Sequence, residues 1–239
     1  MSRSIRTMVA AAAVLVLASS AMAGNLTGTV KYEGPQPPKV PLKMDADQGC
    51  AKKHTTPVFS ETVVVNDNKT LRNVFVYVKS GLPDKAWPVP STAVTMDQNG
   101  CQYHPHIMGV QVGQKFIVKN SDGLLHNVHS LSKTNASFNK AMPATVPTAE
   151  YTFDKEEFMF KVKCDVHPWM GAYVTVLKHP FFAVTGEDGK FTIKDLPDGT
   201  YTVEAWHEYT KGFQPQTAQV VVKGGATQDF TFKVAAAAK

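Results

Sequence analysis

Glu157-Phe158-Met159-Phe160-Lys161-Val162-Lys163-Cys164-Asp165-Val166-His167-Pro168-Trp169-Met170 is the stretch from which the chain is best read. Its first eight residues alternate. Phe158, Phe160, Val162 and Cys164 fall on one face, and Glu157, Met159, Lys161 and Lys163 on the other, which predicts a half-buried strand. Cys164 then stands at the end of the strand, aimed into a core. The apolar run Gly171–Leu177 predicts a returning strand, so the seven residues Cys164–Met170 form a tight loop between two strands. A buried thiol alone would be ordinary packing. An imidazole and a thioether within the next six residues ask for a different explanation.

One thiolate, two imidazoles and a weak axial thioether form the donor set that holds copper for one-electron transfer. The loop supplies Cys164, His167 and Met170, and an upstream strand supplies the second imidazole, His126, in Asn120-Ser121-Asp122-Gly123-Leu124-Leu125-His126-Asn127-Val128. Asn127, beside it, is placed to hold the loop by a hydrogen bond. His129 is three residues further along the same strand, an odd offset that points it to the opposite face. On a short loop His167 is read as partly exposed.

The remaining cysteines are Cys50 and Cys101, both in turn-like settings after Asp47-Gln48-Gly49 and Gln98-Asn99-Gly100. With Cys164 assigned to a metal, they are left as a disulfide pair in an oxidising compartment; two separate buried thiols are the alternative. His104-Pro105-His106 is either a second metal site or a pair of surface histidines. Trp169, inside the ligand loop, is either core packing or a docking surface for a redox partner. Trp206-His207-Glu208 lacks a nearby nucleophile and reads as structural.

Residues 1–23 read as a secretory leader: Arg3 and Arg6, the apolar run Met8–Leu17, then Ala21-Met22-Ala23 ahead of Gly24. The run is too short to span a bilayer. Its style predicts a periplasmic protein with no membrane span. Without the leader's two arginines the net charge falls from +5 to +3. No basic stripe or aromatic-interleaved basic run is present, so nucleic acid is not an expected partner.

Helical periodicity is nearly absent, and the expectation is an all-β chain. Asn25–Tyr32 predicts a first strand before a Pro-rich lead-in; Thr62–Asn66, Val74–Val78 and two strands about Gly113 follow. Ser132–Thr148, polar and punctuated by Pro, reads as a loop or a poorly ordered connection. From Phe181 the chain turns to compact hairpins marked by Glu187-Asp188-Gly189, Leu196-Pro197-Asp198-Gly199 and Gly224-Gly225, the spacing of a small β-sandwich.

Gln114–Asn120, His126-Asn127-Val128 and Cys164-x-x-His167-x-x-Met170 together resemble the plastocyanin/amicyanin group of cupredoxins over residues 62–178. The resemblance implies a Greek-key β-sandwich with one type 1 (blue) copper, ligated by His126, Cys164, His167 and Met170, with Asn127 as the supporting neighbour. It implies an electron carrier with a redox protein as partner, and no catalysis of its own. Gly189-Lys190-Phe191 and Leu196-Pro197-Asp198-Gly199-Thr200-Tyr201 resemble a carboxypeptidase regulatory-like (transthyretin-like) β-sandwich, which implies a scaffold or a surface for protein interaction. The domains expected are a leader (1–23), a strand with lead-in (24–61), a cupredoxin domain (62–178), a smaller sandwich (179–234) and a tail (235–239). Asn25–Val30 also resembles the first strand of that smaller sandwich, which leaves open an arrangement in which the cupredoxin is inserted into it. Copper handling or storage, and a metal-free envelope scaffold, are the competing functions.

Overall fold

The computed structural model describes residues 22–234. All of the expected leader save Met22 and Ala23, and the whole 235–239 tail, lie outside the described residues. In chain order the strands are β1 (Ala23–Glu33), β2 (Phe75–Ser80), β3 (Val94–Asn99), β4 (Gln102–His104), β5 (Ile107–Gln111), β6 (Lys115–Asn120), β7 (His126–Ser130), β8 (Asn139–Met142) and β9 (Thr148–Thr152). They continue with β10 (Glu157–Lys163), β11 (Gly171–Leu177), β12 (Phe182–Val184), β13 (Lys190–Pro197), β14 (Gly199–Trp206), β15 (Gln216–Val222), β16 (Ala226–Thr227) and β17 (Phe230–Lys233). Among the described residues a single 3-10 turn (Met44–Ala46) and one short α-helix, α1 (Gln48–Ala51), precede β2. The chain is all-β.

Two sheets, β5-β11-β10-β7-β8 and β4-β3-β6-β9, face each other across a core that includes Met96, Phe116, Val128, Phe160, Val162 and Val174. Two more, β12-β2-β14-β15 and β13-β1-β16 with β17 also on β1, enclose a second core around Leu26, Val30, Val76, Ile193, Val203 and Phe232. Burying each such aliphatic or aromatic side chain contributes roughly 1.5–3 kcal/mol.

β1 pairs with β13 antiparallel and with β17 in parallel. β2, which lies within the 62–178 stretch, pairs with β14 and β12 rather than with the strands that follow it. The reason is in the burial of Phe75-Val76-Tyr77-Val78: four successive buried residues need cover on both faces. Phe182 sits opposite Tyr77, so the chain leaves the second sandwich at β2, builds β3–β11, and returns at the adjoining β12. A third cluster, Phe75, Tyr77, Ile107, Leu177 and Trp206, fills the seam between the two sandwiches.

Three local expectations are corrected. The Thr62–Asn66 run forms only an isolated bridge, Val65 to Leu71, and packs Val63 and Val65 onto the second core. The polar Ser132–Thr148 segment contains β8, which pairs with β7, and leads into β9, which pairs with β6. In β10 the register shifts between Glu157 and Phe160, and Met159 takes a φ of +49°. That bulge breaks the alternation. Phe160, Val162 and Cys164 keep the core face, whereas Phe158 is 41% exposed and lies 5.1 Å from the Tyr77 ring and 5.8 Å from Trp206.

Candidate metal centre

β10 delivers Cys164 and β11 begins one residue after Met170, so the whole loop spans the gap between paired strands. Within it the Met170 N–H donates to the His167 carbonyl (2.9 Å) and the Cys164 N–H to the Met170 carbonyl (3.3 Å). His126 opens β7, which pairs with β10. The turn before β7 is fixed by Asn120, whose side chain donates to the carbonyls of Leu124 and Met142 while its Oδ1 accepts from the Asp122 N–H.

These elements bring His126, Cys164 and His167 together. Nδ1 of His126 lies 2.9 Å from Nδ1 of His167, and the Cys164 sulfur 3.8 Å from the latter. One ligand atom from each of the three lies within 4.8 Å of the others. His126, Cys164, His167 and Met170 are 0, 2, 1 and 1% exposed. His167 is therefore buried, which corrects the expectation of a partly exposed loop imidazole. Asp47 and Cys50, just before and within α1, lie against its Nε2, and His126 and Trp169 flank the ring.

The backbone N–H groups of Asn127 and His167 both point at the Cys164 sulfur, at 3.5 and 3.4 Å. Burial pushes the Cys164 thiol up, but its bond with His126 and these two N–H groups outweigh burial and hold it below the ordinary thiol range. For His126, burial favours the neutral ring, and the bonds to Asp122 and Cys164 override it, raising the pKa to about 9. Burial likewise pushes Asp122 up, while His126, the Cys101 N–H and Lys53 hold it well below the usual carboxylate range.

Asn127 accepts a short hydrogen bond from the Asp165 N–H and donates to the side chains of Asn139 (2.5 Å) and Asp165 (3.3 Å). It thus ties β7 to the residue that follows Cys164. His129 turns away from the cluster and bonds Asp165 at 2.9 Å. Trp169 is half-buried, donating from Nε1 to the Cys101 carbonyl at 3.1 Å with its ring 5.0 Å from His167. Cys50 and Cys101 are joined in a disulfide. His104 is exposed, and His106 uses both ring nitrogens within the protein, on the Gly171 carbonyl and the Glu208 carboxylate. Among the described residues neither falls in a cluster of three ligating side chains.

Two further residues at the site, Asp47 and Asp122, have no motif of their own in the sequence. Asp122 accepts from Nε2 of His126 at 2.9 Å, four residues along the chain, and was visible only as part of a turn. Asp47 accepts from Nε2 of His167 at 3.1 Å across 120 residues, and no local pattern announces such a contact.

A carboxypeptidase regulatory-like domain model matches residues 165–235, under a third of the chain. No curated protein is similar to it in sequence. Among solved structures the chain resembles a variant of amicyanin with Cu(I), at 23% identity over 42% of this chain and 97% of that one, with a TM-score of 0.32. It also resembles a purple cupredoxin from Nitrosopumilus maritimus, at 24% identity over 34% and 97% of the two chains, TM-score 0.29. A copper-containing nitrite reductase from Thermus scotoductus SA-01 is 18% identical over 41% of this chain, TM-score 0.33, and only a quarter of its length is spanned.

Proposed function

We propose that this chain is an exported, periplasmic carrier of single electrons that holds one type 1 copper on His126, Cys164, His167 and Met170, and that it acts on another redox protein rather than as an enzyme. The observation that supports it is the donor set itself: two imidazoles turned Nδ1 to Nδ1, with a thiol of lowered pKa beside them, all buried. Soft sulfur and imidazole in a dry site suit copper better than a hard cation. A bound copper supplies one-electron exchange between Cu(I) and Cu(II).

The residues do the rest. The two N–H groups on the Cys164 sulfur stabilise thiolate charge. Asn127 fixes the start of the loop against β7, and the turn from His167 to Met170 fixes its end. Burial of all four side chains keeps water out, so little solvent has to reorganise as charge changes. Among the described residues no helix is long and apolar enough to cross a membrane. The second sandwich, with β1 and β2 built into it, is the proposed scaffold and protein-interaction surface.

The test is a titration of the metal-free protein with Cu(II), followed by visible absorption and by copper analysis. One copper per chain with an intense thiolate-to-copper band, lost in Cys164→Ser, is the expected result. A colourless protein that takes no copper points to a metal-free scaffold. More than one copper with a weak band points to copper handling.

A further inference from the structure

Each imidazole of the cluster has a second nitrogen, and both second nitrogens are taken by carboxylates. Nε2 of His167 donates to Oδ2 of Asp47, and Nε2 of His126 to Oδ2 of Asp122. Each carboxylate also accepts from the backbone N–H of one disulfide cysteine. Asp47 Oδ1 takes Gly49 (2.7 Å) and Cys50 (3.1 Å), while Asp122 takes Gly100 and Cys101, both at 2.7 Å. Lys53, just past α1, reaches across to Asp122 at 3.1 Å. The Cys50 sulfur lies 3.5 Å from Nε2 of His167.

We propose that Asp47 and Asp122 are positioning residues for the two imidazoles, set at their spacing by the Cys50–Cys101 disulfide, and that α1 with this disulfide is a built-in cap closing the outer edge of His167 to solvent and to partners. The positioning part rests on the copper reading above. A carboxylate on Nε2 keeps the proton there and leaves Nδ1 as the ligating atom. The disulfide joins residues 51 apart in sequence with their Cα atoms 5.7 Å apart, so the two carboxylates cannot drift independently. With Asp47 and Cys50 over His167, electrons enter or leave by another face of the site.

The experiment uses the metal-free protein with both sandwiches present. Diethyl pyrocarbonate labelling, read by peptide mass, compares His167 with the exposed His104 in the oxidised protein, in the disulfide-reduced protein and in Asp47→Ala with the disulfide intact. In the oxidised protein His104 is expected to label and His167 to stay protected. Reduction, and separately Asp47→Ala, are expected to speed His167 labelling about tenfold or more, the loss of one charge-assisted hydrogen bond. His167 labelling like His104 in the oxidised protein, or staying protected in both altered proteins, would overturn the cap. In the Cu(I)-loaded protein, long-range proton–nitrogen spectra are expected to show Nε2–H on both imidazoles; Nδ1–H on either overturns the positioning role. A chain that takes up no copper but shows the labelling pattern sinks the electron-carrier reading and leaves the cap standing.

Discussion

His106 and Glu208 pair across the seam between the two sandwiches, one from the β4–β5 connection and the other just past β14. The other ring nitrogen of His106 meets the carbonyl of Gly171, the residue after Met170. The second sandwich is thereby linked through one imidazole to the exit of the ligand loop.

That pair carries a pH signature. Burial lowers the His106 pKa, the Glu208 bond and charge outweigh burial, and the net result is a raised value. A raised folded pKa means the stabilisation is complete below the unfolded value of about 6.5 and is lost as pH rises through the folded value. Glu208→Gln is expected to cost about 1–3 kcal/mol in denaturant unfolding at pH 6. At pH 9 the gap to the parent protein should shrink, and a gap that widens with pH would refute the charged pair.

Asn127 offers a separable test of the loop. Replacing it by Ala removes its bonds to the Asp165 backbone, the Asp165 side chain and Asn139 while leaving every donor atom in place. Copper affinity is expected to drop about 10–100-fold, with stoichiometry still one. Competition against a chelator of known affinity measures it, and an unchanged affinity would show that the loop holds its shape without Asn127.

How far the chain was legible depends on the range of each interaction. Phe160, Val162 and Cys164 share the core face that alternation predicts, because the pleat is a local rule. Phe158 departs from it because the bulge at Met159 answers to Phe75, Tyr77 and Trp206, which belong to the other sandwich. The convergence of His126, Cys164 and His167 was readable from a seven-residue loop and one strand. The contacts of Asp47 with His167 and of His106 with Glu208 span 120 and 102 residues. Nothing in a local window encodes either.

The bulge gives a direct stability test. Phe160→Ala opens a void beside Phe153, whose ring centroid is 5.5 Å away in the central core, and is expected to cost about 3–5 kcal/mol. Phe158→Ala, at a site 41% exposed, should cost about 1–2 kcal/mol, since only part of the ring is removed from water. Equal costs in urea unfolding would mean that the two rings share one environment after all.

Glu157 gives the acid-side prediction. Its carboxylate accepts from the Ser132 hydroxyl (2.5 Å), the backbone N–H groups of Lys133 (2.5 Å), Thr134 (3.1 Å) and Asn135 (3.1 Å), and the Asn135 side chain (3.1 Å). Burial is the largest single influence and pushes it up, the donors together outweigh it, and its pKa falls from the ordinary 4.5 to about 2. A depressed folded pKa means the contribution is present above the unfolded value and is lost as pH drops from about 4.5 through about 2. Glu157→Gln keeps one acceptor oxygen but loses the charge that five donors face. It is expected to cost about 1 kcal/mol at pH 7, modest because the group is partly open to water, and to approach the parent protein's stability near pH 2. Amide exchange should locate the loss in residues 133–135, because those N–H groups lose their charged acceptor. Exchange that instead quickens evenly along β10 would place the role of Glu157 in the strand rather than in the loop it gathers.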